Sequence, residues 1–269
     1  MLRALIARLR QGHRTMRYPA APPPPMPDLF RGRPLVDMAR CKTGCSACAE
    51  ACPTTAIQIA PGDAPDRLRI DLGRCLFCND CRDACPEGAI HHSGDHRLAA
   101  SRRQDLVVAV GEELQLAAAL DRRLRRLFGR SLKLRQVSAG GCNACEADVN
   151  VLGTIGWDIG RFGIQVVASP RHADGILVTG CVSENMAAAL QQTYDAVAPP
   201  KIVIAVGACA ISGGPFVANP QQLGGVPGTG LPVDLFVPGC PPHPLTMLDG
   251  LLRLLGRLEQ EGRIAASSS

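Results

Sequence analysis

Residues 75–86 read Cys75-Leu76-Phe77-Cys78-Asn79-Asp80-Cys81-Arg82-Asp83-Ala84-Cys85-Pro86. Residues 41–53 read Cys41-Lys42-Thr43-Gly44-Cys45-Ser46-Ala47-Cys48-Ala49-Glu50-Ala51-Cys52-Pro53. Each run closes four cysteines with a proline, and each leads into a similar tail, Thr55-Ala56-Ile57 after the first and Gly88-Ala89-Ile90 after the second. The two runs are copies of one unit, an internal duplication. Short strands are expected at Ile57–Ile59 and near Ile90. The first copy carries one extra residue between its first two cysteines, and Gly44 in that insertion can absorb the added backbone.

Thirteen cysteines in 269 residues need an explanation from chemistry. No signal peptide is read at the N-terminus, because Arg8 and Arg10 break its apolar stretch and no small-residue cleavage site follows. No run of about 18 apolar residues is present to span a membrane. A reducing compartment is therefore expected, where clustered cysteines point to metal rather than to disulfides. The spacing C-x-x-C-x-x-C-x-x-x-C-P is that of a bacterial [4Fe–4S] run: three close thiolates wrap one cube, and the fourth, turned away at the proline, ligates the other. On this rule Cys41, Cys45, Cys48 and Cys85 hold one cluster, and Cys75, Cys78, Cys81 and Cys52 hold a second. Zinc sites favour paired C-x-x-C units or Cys/His mixtures, and two complete four-cysteine runs do not fit that habit. These runs resemble two-cluster bacterial ferredoxins, and especially the ferredoxin-like subunits of complex I and membrane-bound hydrogenases, which also begin with a basic, Pro-rich arm. The inserted residue after Cys41 departs from that pattern.

Around this unit the chain divides into parts. Residues 1–40 form a basic arm: an amphipathic helix over residues 1–17 with Leu2, Leu5, Ile6 and Leu9 at helical spacing, then a proline run from Pro22 to Pro25 that is extended. The helix suits an anionic membrane surface or a partner subunit equally. The cysteine unit occupies 41–98, and residues 99–130 read as a helical connector that stops at Gly129. From 131 to 269, aliphatic runs at Ile164–Ala168, Ile176–Thr179, Ile202–Val206 and Leu235–Val237 alternate with helical periodicity at Met186–Val197 and Leu245–Leu258. That alternation predicts a parallel sheet covered by helices. Aromatics are only 3% of residues while 46% are hydrophobic, so the cores must be aliphatic, as suits α/β packing. The fold class expected is an α+β ferredoxin-like two-cluster domain joined to an α/β flavodoxin-like parallel-sheet domain. The net charge of +5 gathers in arginines near the N-terminus and at Arg122, Arg123, Arg125, Arg126 and Arg130. No recognition motif or aromatic platform accompanies them, so nucleic acid is not expected as a partner. His91, His92 and His96 read as a solvated turn rather than a metal site.

Five cysteines remain: Cys142, Cys145, Cys181, Cys209 and Cys240. Each falls just after a strand signal or where a helix opens, and in a parallel sheet such loops converge on one edge. Four thiolates meeting there would bind a third [4Fe–4S] cluster, with one thiol to spare. Here Gly141-Cys142-Asn143-Ala144-Cys145-Glu146, Gly207-Ala208-Cys209-Ala210-Ile211-Ser212-Gly213-Gly214 and Pro238-Gly239-Cys240-Pro241-Pro242 resemble three motifs of [NiFe]-hydrogenase small subunits and of the related complex I subunit that holds the terminal cluster. The resemblance covers residues 131–258 and implies Cys142, Cys145, Cys209 and Cys240 as ligands. Cys181 stands where the family uses none and is expected to be a buried free thiol. Complex I subunits carry adjacent cysteines at the first motif, whereas this chain has Cys142-x-x-Cys145, as hydrogenases do. Arg161-Phe162-Gly163-Ile164, the stretch Ala168–Asp174 and Ser183-Glu184-Asn185-Met186 resemble formate hydrogenlyase-type small subunits. Glu146 is either an acid that favours the helix dipole or, as the resemblance implies, a group near the catalytic subunit that takes part in proton movement.

The resemblance implies an electron-transfer subunit of a membrane-associated, formate hydrogenlyase-like [NiFe] hydrogenase. It would carry three [4Fe–4S] clusters and lie on the inner, cytoplasmic face of the cell membrane. Expected partners are a hydrogenase or complex I-like large subunit, membrane subunits of the same complex, and a ferredoxin or formate dehydrogenase-type electron donor. No pair of C-x-x-C units is left over for nickel, so the catalytic metal belongs on a partner and no catalytic residue is assigned here. In the families it resembles, the two halves are usually separate chains, so this chain reads as a fusion. The alternative is a complex I-like quinone or ferredoxin oxidoreductase subunit without a nickel partner. A third reading, of another class, is a structural or sensory protein with zinc or labile clusters, which would be colourless when zinc-loaded.

Overall fold

The structure is a computed structural model that describes residues 2–12, 14–60 and 68–258. The helix expected over residues 1–17 is shorter, α1 (Leu2–Gln11). The proline arm that follows straps this chain's own body: Met16 N–H donates to Gly156 O (2.9 Å) and Phe30 stacks edge-on to His243 (5.5 Å).

The cysteine-rich unit is built twice over, as its sequence is. Strand β1 (Pro34–Val36) leads to helix α2 (Ala47–Glu50) and strand β2 (Ile57–Ile59); strand β3 (Leu68–Asp71) leads to helix α3 (Asp80–Asp83) and strand β4 (Ile90–His92). The copies interlock, for β1 pairs antiparallel with β4 and β2 pairs antiparallel with β3. The third strand of the β2–β3 sheet is β5 (Val107–Ala109), which pairs with Arg69–Asp71 of β3.

That last pairing corrects the reading of 99–130 as a helix. Residues 103–106 form a single 3-10 turn, 107–109 are strand β5, and the chain then turns at 110–111 and runs without regular structure to helix α4 (Arg122–Phe128). The leucines and alanines there favour a helix locally, but tertiary partners take the amides. Ala117 N–H donates to Ala99 O (2.7 Å), Ala118 N–H to Ser101 Oγ (2.8 Å), and Ala100 bridges Phe236. A helix would have to give up these cross-chain bonds. Where α4 does form, Asp121 caps it, accepting from Arg123 and Leu124 N–H at 2.7 and 2.9 Å.

The rest is a five-stranded parallel sheet: β6 (Leu132–Ser138), β7 (Ile164–Val166), β8 (Gly175–Thr179), β9 (Ile202–Val206) and β10 (Leu235–Val237). Their order is β10-β9-β8-β6-β7, so numbered within the sheet it runs 2-1-3-4-5, a doubly wound order with its switch point between β6 and β8. β8 and β9 are buried along their whole length, which is why they read as unbroken aliphatic runs. Helices α5 (Ala144–Val151), α6 (Glu184–Ala196), α7 (Ala208–Ser212) and α8 (Pro244–Leu254) connect or cover the strands. The observed elements match the expected aliphatic runs and both long helices within a few residues.

Every residue of α8 is buried, Asp249 and Arg253 included. The two form an ion pair one turn apart (2.8 Å), and Tyr18 of the arm donates its hydroxyl proton to Asp249 (2.7 Å). Burial, then the Asp249 charge, drives the Tyr18 phenol well above its usual range. Asp249→Ala would leave Arg253 charged and unpaired in the core, so the variant should lose about 3–5 kcal/mol in chemical denaturation. Tyr18→Phe should cost about 1–3 kcal/mol, since it removes one hydrogen bond to a charged group. Among the described residues, no helix is long and apolar enough to cross a membrane.

Candidate functional site

The two copies hold their cysteines by the same backbone device. The carbonyl of Asp37 accepts from Arg40 and Cys41 N–H at 3.2 and 3.0 Å, and that of Asp71 accepts from Arg74 and Cys75 N–H at 3.1 and 3.0 Å. Each aspartate side chain accepts a further amide two residues on, Ala39 N–H and Gly73 N–H, both at 2.9 Å. Cys41 is therefore the counterpart of Cys75 in spite of the insertion after it. Left-handed backbone precedes the second cysteine of each run, at Gly44 (φ 77°) and Phe77 (φ 54°). The inserted residue is taken up between these two matching turns, and the cysteine positions are kept.

Cys41, Cys45, Cys48 and Cys85 line one cavity, walled by Val36, Leu68, Pro86 and Ile90. Cys85 thus crosses from the second run to the thiols of the first. The reciprocal set, Cys52 with Cys75, Cys78 and Cys81, interacts electrostatically. Burial, then the neighbouring Cys81, Cys52 and Cys78 thiols, pushes the Cys75 thiol up to about 12. Cys81 is pushed up to about 11 by burial, then by Cys78 and Cys52. Backbone amides already point at the sulfurs: Ala56 N–H donates to Cys52 Sγ (3.2 Å), Ala89 N–H to Cys85 Sγ (3.3 Å) and Phe77 N–H to Cys75 Sγ (3.3 Å). Amides aimed at sulfur favour the thiolate, while crowding and burial oppose it until a cation compensates. This donor set fits iron–sulfur clusters, which are held by thiolates alone.

The third set forms at the carboxyl edge of the parallel sheet. Cys142 and Cys145 follow β6, Cys209 opens α7 after β9, and Cys240 follows β10. The strand order places these loops side by side. Burial, then Cys209, raises the Cys145 thiol; Cys209 rises to about 12 through burial, then Cys240; Cys240 rises through burial, then Cys142. Cys142 and Cys240 are exposed and the other two partly buried. The backbone comes unusually close to the sulfurs. A Cβ added to Gly207 would lie 2.5 Å from Cys145 Sγ, and one on Gly214 would lie 2.9 Å from Cys209 Sγ. Among the described residues, no three His, Cys, Asp or Glu side chains converge on a single-ion site.

Cys181, the spare thiol, is 6% exposed and donates to Gly140 O (3.4 Å). Glu146 is buried; burial pulls its pKa upward, but hydroxyl donors Ser138 and Thr179, each 2.7 Å from Oε1, hold the carboxyl below its ordinary range. Of the histidines after the second run, His91 is exposed, while His92 and His96 correct the solvated-turn reading. His96 is 5% exposed against the Tyr18 ring, and His92 Nδ1 lies 2.9 Å from Gly32 O. The arm covers them, a contact invisible to local sequence. Reading cysteines alone missed Asp37 and Asp71, although Val36-Asp37-Met38-Ala39-Arg40-Cys41 and Ile70-Asp71-Leu72-Gly73-Arg74-Cys75 carry the duplication upstream.

Residues 142–254 match the family described as NADH ubiquinone oxidoreductase, 20 kDa subunit, and residues 40–89 match a 4Fe–4S dicluster domain. An NADH-quinone oxidoreductase subunit of Phocaeicola vulgatus is 44% identical over 50% of this chain and 67% of its own length. A probable membrane-bound hydrogenase subunit of Pyrococcus furiosus is 39% identical over 52% of this chain and 84% of its own. Formate hydrogenlyase subunit 7 of Escherichia coli is 40% identical over 54% and 56%, respectively. The parallel-sheet half is thus similar in sequence to oxidoreductase subunits, and the chain belongs to the NADH ubiquinone oxidoreductase 20 kDa subunit family, with a 4Fe–4S dicluster domain ahead of that family's sequence.

Proposed function

We propose that this chain is the electron-relay subunit of a membrane-associated, formate hydrogenlyase-like hydrogenase complex, a fusion of a two-cluster ferredoxin with a hydrogenase-type small subunit. The observation that carries the reading is the unbroken sequence of thiols. Cys48 of the first set is an electrostatic neighbour of Cys81 in the second, and Cys78 of the second is a neighbour of Cys240 in the third. Cys78 and Cys240 also line one cleft with Phe77, Pro241 and His243. Three [4Fe–4S] clusters, held by Cys41, Cys45, Cys48 and Cys85, by Cys52, Cys75, Cys78 and Cys81, and by Cys142, Cys145, Cys209 and Cys240, supply one-electron chemistry when bound.

The chain's own residues set the order and the environment. Leu68 and Ile90 wall the first set from solvent, amides of Ala56, Phe77 and Ala89 stabilise negative sulfur, and the exposed Cys142 and Cys240 put the third set where a partner can approach. That partner is the catalytic large subunit, with membrane subunits beside it on the inner face and a ferredoxin or formate dehydrogenase-type donor at the other end. The division into 1–40, 41–98, 99–130 and 131–269 stands as part of the proposal, with β1 and β5 drawn into the cysteine-rich unit because they complete its sheets. The 2-1-3-4-5 order supports a flavodoxin-like description of the last part.

Purified anaerobically, the full chain should be brown, with about twelve irons and about twelve acid-labile sulfides, four of each per cluster. A colourless, zinc-loaded protein would overturn the proposal. The second reading is a complex I-like quinone or ferredoxin oxidoreductase subunit without a nickel partner. Nickel analysis of the large subunit that co-purifies with this chain separates the two.

A further inference from the structure

Helix α1 and the segments its chain leads onto are basic and carry bare aliphatic side chains, and no part of the relay uses them. Helix α1 presents Leu2, Leu5 and Leu9 at 74%, 61% and 76% exposure, with Ile6 beside them. At 3.6 residues per turn these positions make one stripe, and Arg3 and Arg10 fall together on its flank. No Asp or Glu occurs anywhere in residues 1–27.

The chain leads from α1 onto the body through contacts that tie four segments together. Thr15 Oγ donates to Ile155 O (2.9 Å), and the Arg161 guanidinium donates to the carbonyls of Met16 and Tyr18. Arg161 and Arg257 both lie against the Phe162 ring, at 4.5 and 6.0 Å from its centroid. Arg257 in turn donates to Gly129 O, where α4 ends. Around these anchors Arg14, Arg17, Arg122, Arg123, Arg125, Arg126 and Arg130 are all exposed, as are Leu127 and Ile155. Of the acids in these segments, Asp121 is engaged as the cap of α4 and Asp158 is partly buried.

We infer that α1 and these segments lie directly on an anionic lipid surface, with the leucines of α1 in the headgroup–acyl boundary and the arginines among the phosphates. The charge balance selects this occupant. A protein interface ordinarily sets aromatic anchors among its arginines, whereas the exposed large apolar side chains here are all aliphatic, and an interfacial helix pairs an aliphatic stripe with flanking basic residues whose stems snorkel. The arginines of the arm, α4, Arg161 and Arg257 add the electrostatic attraction that a single short helix lacks. The inference stands apart from the relay reading, because lipid contact involves none of the cysteines.

Flotation of the intact, cluster-loaded chain with vesicles tests it. Binding is expected to phosphatidylglycerol–phosphatidylcholine vesicles and not to phosphatidylcholine alone. It should fall away in molar salt, where the Debye length shrinks to about 3 Å. Leu5→Glu with Leu9→Glu should weaken binding at least about tenfold per leucine. Arg122→Gln with Arg126→Gln should weaken it about fivefold per arginine. All these positions are exposed, so the visible spectrum should not change, which separates lost binding from lost fold. Failure to bind anionic vesicles, equal binding to neutral ones, or indifference to the leucine pair would each overturn the proposal and assign these segments to a protein partner.

Discussion

Replacing Cys85 with alanine removes about four of about twelve irons, and the irons lost are those of the first run's thiols, not those of its own. This follows from the cavity in which Cys85 faces Cys41, Cys45 and Cys48. The decisive form is a pair of double variants. Cys85→Ala with Cys48→Ala should cost no more iron than either alone, because both strip one site. Cys85→Ala with Cys81→Ala should cost about eight irons, because they strip two. Residues acting as one unit are non-additive and independent sites add, so the reverse pattern would refute the crossed assignment. Stability should fall with the iron, since a site that forms only in the folded chain contributes its binding free energy to folding.

Gly207→Ala should abolish the third site while leaving the first two loaded. Gly207 sits at φ +91°, where a side chain is strained by about 1–3 kcal/mol. The larger effect is steric. The new methyl would lie 2.5 Å from Cys145 Sγ, so either the loop after β9 or the thiol must move, and Cys209 two residues on moves with the loop. Iron should drop from about twelve to about eight, with the fold retained by circular dichroism. Gly44→Ala is the control: its φ is +77° but nothing lies within 4 Å of the added Cβ. It should cost about 1–2 kcal/mol in backbone strain and no iron. Full iron content in Gly207→Ala would show that the loop yields and that close backbone approach is not needed.

Much of this molecule is legible in one dimension, for a physical reason. Three thiols of each of the first two groups lie a few residues apart, and turns, short helices and amides within the same dozen residues place them. Spacing therefore reports those three directly, while the fourth thiol of each group crosses over from the other run. The strands of the parallel sheet announce themselves because β8 and β9 are buried on both faces and hold aliphatic residues throughout.

The connector shows where that reading stops. Residues 107–120 have helical composition, and their fate is decided by amide partners at Arg69–Asp71, Ala99 and Ser101. Local propensity is worth a few tenths of a kcal/mol per residue, and a sheet edge waiting to be paired outweighs it. His92 and His96 are similar, since residues of the N-terminal arm half-bury the first, at Gly32, and bury the second, at Tyr18.

Sequence by itself thus determined that two duplicated four-cysteine runs stand before an α/β sheet with five further thiols. It also carried, upstream of each run, the aspartates whose carbonyls hold Cys41 and Cys75 alike. Only the tertiary structure decided which thiols of the second group meet. Cys142, Cys145, Cys209 and Cys240 come from loops up to about a hundred residues apart, and they adjoin because the 2-1-3-4-5 order lays the ends of β6, β9 and β10 along one edge. Cys181 lies at that edge too, beside Cys209, but its thiol is buried and donates to Gly140 O. A contact of that kind depends on where the backbone goes between distant residues, and no spacing along the chain encodes it.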